Sequence, residues 1–270
     1  MHASPTVRRL LVLPAAALLC LSLLTACGSA ADTASAPSTA TPAAPAVTPG
    51  PEPAKVVVAP AALNADGLLK GDATPAEYPA GDPGKVSVVF TGAFSPQNGS
   101  TMPIVIRNNT DAAISHVDVN ATARSAGALL ATGTSQGTTP AQIAPGGLAL
   151  GYVYFKMDAA APADATYKFT FETSPADKSS YNASSLQTTE VVHTGDNIVG
   201  TGVNSNDVPV VGPVSADVYC FDSAGNPSAT VRAYANESDE IAAGGVVSFT
   251  ASLYDMPCAT FLVGLTGYFA

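Results

Sequence analysis

The chain has no tryptophan, only three histidines, and charged residues at just 12% of its 270 positions. Without tryptophan, no indole anchors a sugar platform or an immunoglobulin-type core. Beyond His2, only His116 and His193 are left for general-base work, and neither has a sequence neighbour that completes a catalytic set. Lone histidines of this kind are expected as hydrogen-bonded surface residues; Asp118, two positions from His116 on the same strand face, would give it a weak exposed contact. Basic residues are scarce too, 11 Lys and Arg against 21 Asp and Glu. Nucleic acid and anionic headgroups repel such an acidic chain, so nucleic acid is excluded as a partner. Helical periodicity is missing everywhere past residue 54, where Gly, Pro and β-branched residues interrupt every candidate segment.

Cysteine is also rare, and the position of each one carries information. Of the four, Cys20 and Cys27 lie in the first thirty residues. Arg8 and Arg9 precede an apolar run from Leu10 to Leu24, which is the layout of an export signal. Pro14 and the shortness of the run argue against a permanent span, which needs about 20 apolar residues. Leu24-Thr25-Ala26-Cys27 resembles a bacterial lipobox. The resemblance implies cleavage before Cys27, a diacylglyceryl thioether on its sulfur with fatty-acid (palmitate-type) acylation, and a lipid-anchored protein on the outer face of the cell membrane. An ordinary secretory signal is the alternative. Removing residues 1–26 takes away two arginines, leaving 9 basic against 21 acidic residues and a formal charge of −12. Residues 27–54 are almost entirely Ala, Pro, Ser, Thr and Gly, the composition of a disordered stalk.

Cys220 and Cys258 are then the one pair left in an oxidising compartment, and they are expected to form a disulfide. Closing that loop would contribute about 4 kcal/mol in the chain-entropy model. A zinc site is the alternative, but two cysteines without adjacent histidines are too few ligands. No metal set or cofactor motif is present.

Two segments of the chain repeat one another. Val117, Val119, Ala121 and Ala123 alternate with Asp118, Asn120, Thr122 and Arg124. Val214, Ala216, Val218 and Cys220 alternate with Ser215, Asp217 and Tyr219. Both patterns predict a strand with one buried and one wet face. Each is followed by Ala-Gly (126–127, 224–225), an isoleucine (143, 241) and Gly-Gly (146–147, 244–245), at a constant offset of 98 residues. Further strands are expected over Leu148–Lys156, Tyr167–Glu172, Val246–Tyr254 and Phe261–Tyr268, and Lys55–Val58 is a candidate edge strand. The fold class expected is all-β, two immunoglobulin-like sandwiches in tandem over 55–178 and 179–270, joined somewhere between Ser174 and Ser185.

The run Asn108-Asn109-Thr110-Asp111, the alternating strand, Ala-Gly and Ile-Ala-Pro-Gly-Gly together resemble the FxLYD-type domain of bacterial envelope proteins. Phe249 and Leu253-Tyr254-Asp255 carry the likeness in the second copy, although Tyr219-Cys220-Phe221-Asp222 stands closer to the family motif's place. The resemblance covers most of 85–270. It implies an immunoglobulin-like sandwich in small lipoproteins of actinobacterial type, and transfers no catalytic residue.

Gly133-Thr134-Ser135-Gln136-Gly137 matches the Gly-x-Ser-x-Gly of α/β-hydrolases formally, but Thr138-Thr139-Pro140 cannot start the helix that motif needs. A Ser/Thr/Gly-rich hairpin loop explains it without chemistry. Glu237, Asp239 and Glu240 beside Asn236 lack the glycine-punctuated loop of a calcium site and are expected in a solvated loop. Asn-x-Ser/Thr matches at Asn98, Asn120, Asn182 and Asn236 are accidental in a bacterial lipoprotein. The expected role is non-catalytic binding or scaffolding at the envelope, with a protein or glycan as partner and the membrane as anchor. The alternatives are a transporter-associated solute-binding lipoprotein and an envelope hydrolase using Ser135.

Overall fold

The computed structural model describes residues 68–70, 76–96, 100–156 and 160–270. The signal, the stalk with Cys27, the strand expected at Lys55–Val58 and the acceptor Asn98 lie outside them. The described residues are all-β and form part of one compact unit.

The first repeat supplies six strands: β2 (Val86–Thr91), β3 (Thr101–Asn108), β4 (Ile114–Ser125), β5 (Ala128–Thr139), β6 (Leu148–Phe155) and β7 (Thr166–Pro175). They pair antiparallel in the order β2-β3-β6-β5-β4-β7. The second repeat supplies β8 (Ala183–Thr194), β9 (Asn197–Val203), β10 (Val210–Phe221), β11 (Pro227–Tyr234), β12 (Val246–Ser252) and β13 (Thr260–Phe269), in the order β11-β10-β13-β8-β9-β12. Strand β1 (Leu68–Lys70) pairs with β13 through Leu69 opposite Leu262. A stretch expected within the first sandwich therefore belongs to the sheet of the second.

Each sheet curls around its own apolar core. In the first, Val117, Val119, Ala121 and Ala123 of β4 face Met102, Ile104 and Ile106 of β3, as the alternation predicts. In the second, Val214, Ala216, Val218 and Cys220 of β10 meet Phe249 and Ala251 of β12. Cys220 is bonded to Cys258, with Cα atoms 5.0 Å apart, so the loop after β12 is fastened to the middle of the sheet.

The repeat extends to individual hydrogen bonds. Asn108 Nδ2 donates to the carbonyls of Ala112 and Ile143; Asn204 Nδ2 donates to those of Val208 and Ile241. The Asn108 backbone exchanges bonds with Gly146 and Gly147, and the Asn204 backbone with Gly244 and Gly245. Isolated bridges join Ile114 to Ile143 and Val210 to Ile241. In each copy one buried asparagine thus ties the strand before it to the Gly-Gly turn and adds a second bond to an isoleucine carbonyl already paired in the bridge. The copies differ in where the curl opens. The first closes through β5–β6, with β2 and β7 as edges. The second closes through β8–β13, and an isolated bridge between Ala235 and Phe249 and a bond from Asn236 N–H to the Ser248 carbonyl join the end of β11 to β12.

The wet face expected on β10 is not wet. Ser215, Asp217, Tyr219 and Phe221 are buried, as are the apolar residues between them. They face the first sandwich, where Val105, Leu148 and Leu150 join Tyr219, Phe221 and Leu262 in a third apolar cluster completed by Tyr78. Tyr219 donates its hydroxyl to the Leu150 carbonyl at 3.3 Å. Each such apolar side chain contributes about 1.5–3 kcal/mol on burial. Gly264 of β13 lies so close to Thr139 that a Cβ there would collide with the threonine side chain. The alternation is right for β4, whose Asp118, Asn120 and Arg124 are exposed, and wrong for its counterpart because one copy is packed against the other.

Candidate functional site

Antiparallel ladders slip where an extra residue is inserted, and such bulges re-aim side chains. Three of these slips converge on one place: between Ser115 and Asp118 in β4, between Ser135 and Thr138 in β5, and between Val211 and Ser215 in β10. The displaced residues His116, Val117, Gln136, Gly137 and Pro213 line a cavity of about 290 Å³ between the two sandwiches. Two residues there hold a backbone that L side chains rarely adopt, His116 (φ 44°) and, against it, Tyr181 (φ 66°). His116 Nε2 lies 2.9 Å from the Tyr181 carbonyl and therefore carries the proton, while its ring stacks on Tyr268 at 6.3 Å. Strain of this sort persists where the surroundings over-determine it, and it gathers at functional sites.

The floor is an ion pair. Asp217 on β10 stands directly opposite Arg232 on β11 in the ladder. Arg232 Nε donates to Oδ1 at 2.6 Å and Nη2 to Oδ2 at 2.9 Å, a bidentate fork; Ser215 Oγ adds a third donor at 3.3 Å. Burial pushes the Asp217 carboxyl up, and the Arg232 fork and Ser215 pull it down. Burial also lowers the Arg232 guanidinium, but the carboxylate beside it holds it above its ordinary value, so it stays charged. The guanidinium lies 5.4 Å from the Tyr152 ring centre, in cation–π range. Tyr152 in turn donates its hydroxyl to Gln136 Oε1 at 3.3 Å. Burial pushes the Tyr152 phenol up to about 12 and Tyr219 well above 10, so both remain protonated donors.

The sequence candidates fall in different places. Ser135 is in strand β5 rather than in a hairpin loop. Its Oγ accepts from Val119 N–H at 2.8 Å and donates to the Val117 carbonyl at 3.4 Å, spanning the β4 bulge, so both of its bonds go to backbone. His116 and Asp118 both line the cavity, whereas His193 packs edge-on against Phe261. Glu237 accepts from the backbone N–H and hydroxyl of Ser248, and that backbone bond lowers its carboxyl; Asp239 and Glu240 are exposed. Asn182 is buried, with its amide donating to Asp177 and the Pro175 carbonyl. Among the described residues no group of three or more His, Cys, Asp or Glu is placed to hold a metal.

Asp217 and Arg232 escaped sequence reasoning. The signal lay in the contrast between the copies: the outer face of β4 carries Asp, Asn, Thr and Arg, while that of β10 carries Tyr219 and Phe221 with one charge. An aspartate among aromatics on a face that should be wet marks burial against a partner. No family model matches the chain, and no curated protein or solved structure is significantly similar to it.

Proposed function

We propose that this chain is a lipid-anchored extracytoplasmic lipoprotein, held at the cell membrane through Cys27, that binds a ligand without transforming it. The observation that carries the binding half is the shared cleft. Both repeats contribute to its walls, three ladder slips aim side chains into it, and a desolvated ion pair forms its floor. Concave sites between domains with a few convergent polar groups are the usual form of a ligand pocket. Leu24-Thr25-Ala26-Cys27 and the Ala/Pro/Ser/Thr-rich stretch after it support the anchor, and Asn108-Asn109-Thr110-Asp111 with the Ala-Gly and Gly-Gly turns supports a tandem FxLYD-type assignment. The described residues contain no helix, so they do not adopt the two α/β lobes of a transporter-associated solute-binding protein. Ser135, bonded twice to backbone, does not favour the hydrolase reading either.

The anchor is tested by metabolic labelling with a palmitate analogue in a bacterial host. The chain is expected to take up label and partition with membranes, and Cys27→Ser to lose both. A Cys27→Ser chain that still partitions with membranes overturns the anchor.

A further inference from the structure

The chemistry of the cleft narrows what it can hold. Its buried charges are spent on each other: Asp217 and Arg232 are joined bidentately, and Asp118, which lines the same cleft, is exposed to water. A charged ligand drawn to one member of the buried pair would meet the other as well, and would lose hydration without a free counter-charge on the floor. Hydrogen-bonding capacity left over from these contacts, by contrast, is on hand for an uncharged ligand. Arg232 has five N–H donors and gives two to Asp217, leaving three. Gln136 accepts from Tyr152 through its oxygen, which leaves its NH₂ to donate. Thr266 Oγ1 is buried at the cleft and has no partner, a group whose desolvation calls for one. Flat apolar surface is present too, on Tyr234, 58% exposed, and on Tyr268, whose ring is stacked with His116.

Free donors and a hydroxyl set beside aromatic rings match a ring bearing several hydroxyls, each of which both donates and accepts, with C–H faces that lie against tyrosine. The cavity, about 290 Å³, is at the small end of ligand pockets and suits one such ring. We propose that the cleft binds a neutral polyhydroxylated ring, a single sugar unit free or at the end of a glycan, with tyrosines taking the part that tryptophan plays elsewhere. This rests on the binding reading above and names its ligand class.

The test is an NMR titration of the full chain, held in a polyoxyethylene detergent whose head carries neither sugar nor charge. The neutral probes are glucose, galactose, arabinose and trehalose; the charged ones are glucuronate and choline. At least one neutral sugar is expected to shift the Gly137 amide and Gln136 side-chain signals saturably. Tyr234→Ala should weaken that binding about tenfold or more, as loss of a stacked ring does, and Tyr254→Ala, 78% exposed and outside the lining, should leave it unchanged. Saturation by choline or glucuronate alone overturns the sugar class and leaves the binding role standing. A sugar response indifferent to Tyr234→Ala overturns the site. No saturable shift with any probe overturns the proposal and removes the support of the binding reading with it.

Discussion

Arg232 shows how one side chain serves two repeats. Its fork closes on Asp217 within the second sandwich, and its plane lies over Tyr152 of the first. Replacing it removes a partner from a carboxylate that is 2% exposed. Such a carboxylate, left alone, costs about 3–5 kcal/mol, whereas replacing both members by apolar residues of similar volume is often neutral. Arg232→Ala is therefore expected to lower unfolding stability by about 3–5 kcal/mol in urea melts, and Asp217→Leu/Arg232→Met to recover most of it. Equal losses in the single and double variants would show that the pair is not the cause.

The elements were legible in the sequence wherever one physical cause controlled the pattern. Strand β4 alternates because one face meets a core and the other meets water, and the structure places it as read. The disulfide follows from counting cysteines, and Cys220 and Cys258 are joined. The turns at 126–127 and 224–225 fall where Ala-Gly marks them, with Ala126 and both glycines at positive φ. Strand β10 defeated the same rule because it answers to two cores, its own and the one shared with β3 and β6. The cleft was hidden for a related reason: bulges are defined by ladder register between strands, and neither Ser115–Asp118 nor Ser135–Thr138 announces one locally. Position β1 escaped as well, since its partner is nearly two hundred residues away on β13.

The connection between the repeats is an element in its own right. Asp177 accepts from the Ser179 hydroxyl and backbone N–H and from Asn182 Nδ2, which fold residues 177–182 into a turn rather than a free linker. Those bonds, led by the Ser179 hydroxyl, lower its carboxyl to about 2 from the ordinary 3.8. A depressed carboxylate contributes its stabilisation above the unfolded value, and loses it as pH falls through the folded one. The turn is thus expected to stay intact down to about pH 4 and to loosen toward pH 2. Carboxyl-carbon NMR should show Asp177 titrating near 2, and Asn182→Ala should move it upward. Titration at the ordinary aspartate value in the parent chain would mean the turn does not hold.

At the scale of the molecule, duplication and docking together make the site. Each repeat curls round its own core, and the cleft takes its walls from both. The cleft arises because Tyr219, Phe221 and Leu262 of one repeat bury themselves against Val105, Leu148 and Leu150 of the other, with Gly264 and Thr139 at closest approach. Domains joined through an apolar surface of that kind do not move freely, unlike those joined by small polar contacts. The measurement that bears most directly on this is scanning calorimetry of the full chain. A single transition with equal calorimetric and van't Hoff enthalpies is expected, displaced to lower temperature by Gly264→Ala. Two separable transitions, with Gly264→Ala moving neither, would contradict a fused pair and with it the cleft on which the functional reading stands.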